Sequence, residues 1–222
     1  MTQKQKRERF VTPKGIAIWP RLNAPDTKFD ADGVFSAKLA FDGDDAAANT
    51  LIKKLKGIRD EAFKQYISEN PKFKKVAKVV DFFHPELDEE GDETGRTLMN
   101  FKMKHKVTAK KTQKVYLMKP TIINAKKAVL KNPPNIGGGS VLKVSFEVNP
   151  YFNAKDKEFG LSLRLVAVQI IELVEFGGNA AAANDFDDED GYDGEGAEGT
   201  EDGEDEAEDG EEGAEDEGDG DY

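Results

Sequence analysis

The last 44 residues decide what the rest of the chain must do. From Asn179 to Tyr222 there are 22 Asp and Glu, no Lys or Arg, and no aliphatic side chain larger than alanine. Ordering a backbone costs about 1–2 kcal/mol per residue, and this stretch has too little apolar surface to offset it. It reads as a disordered acidic tail. Whatever folds must be built from residues 1–178. The boundary is written in "FGGNAAAANDF": Phe176 ends an apolar strand, and Gly177 and Gly178 break it.

Charge divides at the same place. The 222 residues carry 32 Lys and Arg against 44 Asp and Glu, a formal net charge of -12. With 22 of those acids in the tail, residues 1–178 hold 32 bases and 22 acids, a net of +10. The acidic pI belongs to the tail. The folded part is basic and suits a polyanionic partner. There are no cysteines, so there is neither a disulfide nor a thiolate metal site. His84 and His105 are too few for a zinc cluster, and no cofactor is expected. No apolar run reaches the roughly 18 residues of a membrane span. The basic start, "MTQKQKRERF", lacks the apolar core of a secretory signal.

Within the body the period is mostly two. "FSAKLAF" sets Phe35, Ala37, Leu39 and Phe41 against Ser36 and Lys38. "GIAIWPRL" sets Ile16 and Ile18 against Trp19. "TLMNFKMKHKV" sets Met99, Phe101, Met103, His105 and Val107 against Asn100, Lys102, Lys104 and Lys106. "TQKVYLMKPTII" and "VLKVSFEVNPYF" read as further strands. "FGLSLRLVAVQIIELVEF" is the longest and most apolar, which suits the centre of a sheet. One segment has a helical period: Leu51, Leu55, Ile58 and Ala62, widened by Ile52, Phe63 and Tyr66. Asp42, Asp44 and Asp45 stand at its start, where the helix dipole favours anions, and Pro71 lies just past its end. "HPELDEEGDETG" and "KNPPNIGGGS" read as loops. The pattern fits a mainly β fold, an OB-like five-stranded barrel with an inserted helix. A β-sandwich fits the periodicity nearly as well.

Catalytic signatures are missing: there is no GxxxxGK[ST], HExxH or GxSxG. "IGGGS" lacks the phosphate lysine and the following helix, and reads as a bulge or tight turn at a strand start. Asp185, Asp187 and Glu189 have calcium-loop spacing, but Asp190 stands where that loop needs glycine. No catalytic or metal residue is assigned.

The lysines carry more. Lys102, Lys104 and Lys106 repeat on one strand face, and Lys110, Lys111 and Lys114 extend the stripe into the next strand. Either an anion tracks along them, or they are a solvated face or a protected edge. Binding to single strands also needs ring faces for bases. Trp19, Tyr116, Tyr151 and Phe152 are the candidates, with burial in the core as the competing role for each.

"IGGGSVLKVSFEVNPYF", then "GLSLRLVAVQIIELVEFGG", then an acidic tail with a terminal aromatic, closely resembles the single-stranded-DNA-binding proteins of phage T7 and its relatives. The order of the earlier elements agrees, and the N-terminal region matches poorly. The resemblance implies an OB-fold homodimer that coats and anneals single-stranded DNA in replication, recombination and repair, in the cytoplasm of an infected bacterium. It implies that Tyr151 contacts DNA. It also implies that the tail end, here Asp219, Asp221 and Tyr222, docks the phage DNA polymerase and primase-helicase. The archetype ends in phenylalanine where this chain has Tyr222. On this reading the tail competes with DNA for the basic body; more plainly, it is a solubiliser. An acidic-tailed chaperone for basic proteins is the alternative function.

Overall fold

A computed structural model describes residues 8–109 and 112–175 of the chain. The domain limit near residue 178, and the tail, lie outside the described residues. In chain order come β1 (Arg9–Val11), β2 (Gly15–Asp26) and β3 (Val34–Asp42), then α1 (Ala46–Glu69) and a single 3-10 turn, Pro71–Phe73. There follow β4 (Lys78–Val79), β5 (Phe83–Leu87), β6 (Glu93–Lys104), β7 (Lys106–Thr108) and β8 (Val115–Leu117). The last are β9 (Thr121–Ile123), β10 (Val141–Asn153) and β11 (Glu158–Glu172). The chain is mainly β with one inserted helix.

Five long strands pair in succession. β2 pairs β3 and β3 pairs β6, both antiparallel. β6 meets β11 in parallel at Lys102 and Arg164. β11 pairs β10 antiparallel along its length, and β10 pairs β2 at Val141 and Leu142. The alternation read in β3 is what the structure buries: Phe35, Ala37, Leu39 and Phe41 all face the core. Across the ladder Phe35 sits opposite Met103, Ala37 opposite Phe101 and Leu39 opposite Met99, all buried. Leu142, Val144, Phe146 and Val148 of β10, and Leu161, Leu163, Leu165 and Val168 of β11, complete that interior. β11 is central, with β10, β6, β9 and β4 all paired to it.

The helix begins where its acids stand. Asp45 is the N-cap, and its carboxylate accepts from the amides of Ala47 (2.8 Å) and Ala48 (3.0 Å). Ala48, Ile52 and Leu55 are its buried stripe, with Leu51 and Ile58 flanking. Beyond Leu55 it continues over a cluster of rings. Phe63 and Tyr66 lie 5.3 and 5.5 Å from Phe159, and Tyr66 lies 4.7 Å from Phe152.

Four local expectations need correction. "HPELDEEGDETG" is not a loop: its ends are β5 and the start of β6, an antiparallel hairpin turned at Asp88–Asp92. "TQKVYLMKPTII" is two strands, because Pro120 has no N–H to continue a ladder; β8 pairs β7, and β9 pairs β11. On β2 the buried residues are Gly15, Ala17 and Leu22, while Ile16 is exposed. The lysine face of β6 ends at Lys104, and Lys106 begins the separate β7–β8 hairpin. "IGGGS" forms the tight turn expected of it. Gly139 has φ +87, its amide donates to Ala17, and Ser140 is buried with its hydroxyl donating to the Gly137 carbonyl.

Candidate nucleic-acid interface

When one face of these strands is core, the other must carry what remains. The register aligns those remainders into a row. Arg21 of β2 sits opposite Ser36 of β3, Ser36 opposite Lys102 of β6, Lys102 beside Arg164 of β11, and Arg164 opposite Glu147 of β10. Three cations thus lie across the outer face of a sheet whose inner face is apolar. Neighbouring rows add Lys38 opposite Asn100, Val34 opposite Lys104, and Ser162 opposite Asn149. A groove of about 620 Å³ follows this face, lined by Asp30, Val34, Lys102, Lys104, Val107, Asn149, Ser162 and Arg164. A second hollow shares Asp30, Val34 and Lys102 with it and adds Asp26, Phe29 and Ser36.

Several of these cations already hold carboxylates. Lys104 Nζ lies 3.1 Å from Asp30, and Lys106 Nζ 3.8 Å from Asp32. Arg164 lies 3.1 Å from Glu147, which also takes Arg9 at 3.3 Å. The hydrogen bond from Lys104, helped by one from the Asp32 amide, holds the Asp30 carboxyl below its ordinary pKa. Lys102 makes no ion pair among the described residues. Neither does Arg21 in the same row, and both charges are available to a phosphate.

The four sequence-predicted rings fall in four environments. Tyr151 is 40% exposed and sits opposite Gly160, two pairs along from Asn149 and Ser162 at the groove and so on the same face. A Cβ on Gly160 would lie 2.9 Å from the Tyr151 hydroxyl and 3.0 Å from its Cζ. The ring therefore lies over the glycine. Tyr116 is exposed on β8 opposite Val107, a groove residue, with Lys114 Nζ 5.4 Å from the ring centre. Trp19 is 78% exposed at a break in the β2–β3 register, with φ +47, a conformation that costs a bulky residue energy. It does not line the groove. Phe152 is a correction. Its side chain is partly buried and packs on Tyr66 and Phe73, both 4.7 Å away, so it belongs to the ring cluster under the helix.

Of the lysines, the structure brings Lys102 and Lys104 together, and sets Lys106 and Lys114 on the adjoining hairpin. Lys110, Lys111, Asp219, Asp221 and Tyr222 lie outside the described residues. Sequence reasoning missed Arg21, Arg164, Asn149, Ser162 and Phe29. Arg164 did leave a signal: it stands between Leu163 and Leu165 in the most apolar strand, where a cation needs a reason. Phe29 left none, because a turn has no period.

A sequence model of the family described as "Single-stranded DNA-binding protein, Bacteriophage T7" matches residues 16–173. The single-stranded DNA-binding protein of Escherichia phage T7 is 29% identical over 153 residues, 66% of this chain and 65% of that protein. Its counterpart in Enterobacteria phage T3 is 25% identical over 150 residues, with the same coverage. The chain spans just under two thirds of the length of these curated relatives. Among solved structures, the crystal structure of the single-stranded DNA-binding protein encoded by bacteriophage T7 superposes with a TM-score of 0.66 at 24% identity. It covers 84% of this chain and 98% of that one. A C-terminally truncated single-stranded DNA-binding protein from bacteriophage Enc34 gives 0.51 at 15% identity, over 75% and 87%. Both share the fold.

Proposed function

The chain belongs to the bacteriophage T7 single-stranded DNA-binding protein family, and from that premise we propose that it binds single-stranded DNA across the outer face of β2, β3, β6, β11 and β10. The observation that carries this is the row Arg21–Ser36–Lys102–Arg164, with Tyr151 close by on the same face. Lys102 and Arg164 are one strand spacing apart, about 4.8 Å, and Arg21 lies two spacings beyond Lys102, a row that can follow a phosphate backbone. Ring faces beside them take unstacked bases, and every base has such a face, so binding tolerates any sequence. The activity is binding rather than catalysis. A chaperone for basic proteins has no use for this face.

The successive pairing of five strands supports an OB-fold barrel, with residues 1–178 as the DNA-binding domain and 179–222 as an acidic tail. The tail's 22 acids compete with DNA for the body's net +10. Once DNA displaces it, the tail end at Asp219, Asp221 and Tyr222 docks the phage DNA polymerase and primase-helicase. The protein coats and anneals strands as a homodimer in replication, recombination and repair, in the cytoplasm of the infected host. The direct test titrates labelled oligo-dT and a matched duplex with the full-length protein. Preference for the single strand is expected; equal or stronger duplex binding rejects the reading.

A further inference from the structure

The hollow that adjoins the groove holds another ring. Phe29 stands in the turn between β2 and β3, 88% exposed, and lines the hollow with Asp26, Asp30, Ser36 and Lys102. Single exposed apolar side chains are ordinary on protein surfaces. This one is held beside a row of cations by a braced turn. The Lys28 amide donates to Asp26 (2.8 Å), the Asp32 amide to the Asp30 carboxylate (3.0 Å), and the Gly33 amide to the Asp30 carbonyl (2.8 Å). Gly33 has φ +73, and a Cβ there would meet Pro25 at 3.0 Å, so the turn needs its glycine. The turn is tied to the end of β6 by the amides of His105 and Lys106, which donate to Gly33 and Asp32. Lys28 Nζ lies 5.4 Å from the ring centre.

We propose that Phe29 is a base-stacking position that makes the groove selective for single strands. The proposal rests on the reading that this groove binds single-stranded DNA. A duplex presents phosphates to Lys102 and Arg164 as readily as a single strand does, so charge alone discriminates poorly. A base offers its π-face to a side chain only when it is unstacked. Phe29 rewards that state on one side of the cationic row and Tyr151 on the other. Lys28 beside the ring is placed to meet the phosphate of the stacked nucleotide.

The test uses the full-length protein and Phe29→Ala, each titrated with labelled oligo-dT and with a matched duplex. The expected loss for oligo-dT is roughly fivefold to a hundredfold, the range of one stacked base. Duplex affinity stays where it was, so the preference falls by the same factor. The salt slope stays too, because no phosphate contact is removed. Phe29→Trp restores the preference, since any ring serves. Unchanged oligo-dT affinity in Phe29→Ala overturns the proposal. So does an equal loss on both substrates, which would make the ring a brace for the turn. If wild type shows no preference for oligo-dT, the underlying reading fails, whatever Phe29 does. A melting temperature for each variant separates lost binding from lost folding.

Discussion

Tyr151 depends on what lies beneath it. Its ring rests over Gly160, and a Cβ there would lie 2.9 Å from both the tyrosine hydroxyl and Val80 Cγ2. Real Cβ contacts are almost never that short, so Gly160→Ala must move the ring. Tyr151→Ala should weaken oligo-dT binding by about 1–3 kcal/mol, the value of one stacked base. Gly160→Ala should lose part of the same amount. In the double variant the second change should cost little more, because the ring it displaces is already gone. Additive losses in that cycle would detach Gly160 from Tyr151. Tyr151 was legible in the sequence, as an aromatic after proline at the end of an alternating strand. Gly160 was not, since its role is set by a partner nine residues away across the hairpin. Phe152 shows the reverse error: it neighbours Tyr151 in sequence, but the pleat turns it to the opposite face, among Tyr66 and Phe73.

The strands and the helix were largely readable, and the failures share a cause. Periodicity reports a residue's face, but not where a strand stops. The lysine run was read as one stripe from Lys102 to Lys114. At His105 the chain leaves β6, because its amide is taken by Gly33 and its carbonyl by Met118. The β5–β6 hairpin was hidden by acids that happen to lie in strands. The same limits hid the β2–β3 turn, whose Asp30 holds Lys104. DNA must displace that carboxylate to use the lysine. Asp30→Asn should therefore raise affinity for oligo-dT at low salt and steepen the salt dependence. A lowered carboxyl pKa means the pair persists through neutral pH and is released as pH falls through the lowered value. Acidification should raise wild-type affinity more than that of Asp30→Asn. Weaker binding by Asp30→Asn would mean that Asp30 positions Lys104 rather than masking it.

Across the whole protein, charge is divided between two opposed parts. The net of -12 hides a basic body and a tail of 22 acids, and both were plain in the composition. What composition could not give was the cross-strand row, which register alone assembles. Truncation after Gly178 should tighten oligo-dT binding, most at low salt, where the tail's grip is least screened. Full-length protein should show the shallower slope of log K against log salt, because salt loosens the tail as it loosens DNA. Equal affinities and slopes for the two proteins at low salt would remove the competition. Whether phosphates run along the cations of the outer face is read from that slope in Lys102→Ala. Each phosphate contact on a single strand contributes about -0.7. Lys102→Ala should weaken oligo-dT binding and make the slope shallower by up to that amount, while Tyr151→Ala should weaken binding at an unchanged slope. Wild-type affinity and slope in a folded Lys102→Ala protein would place the DNA elsewhere.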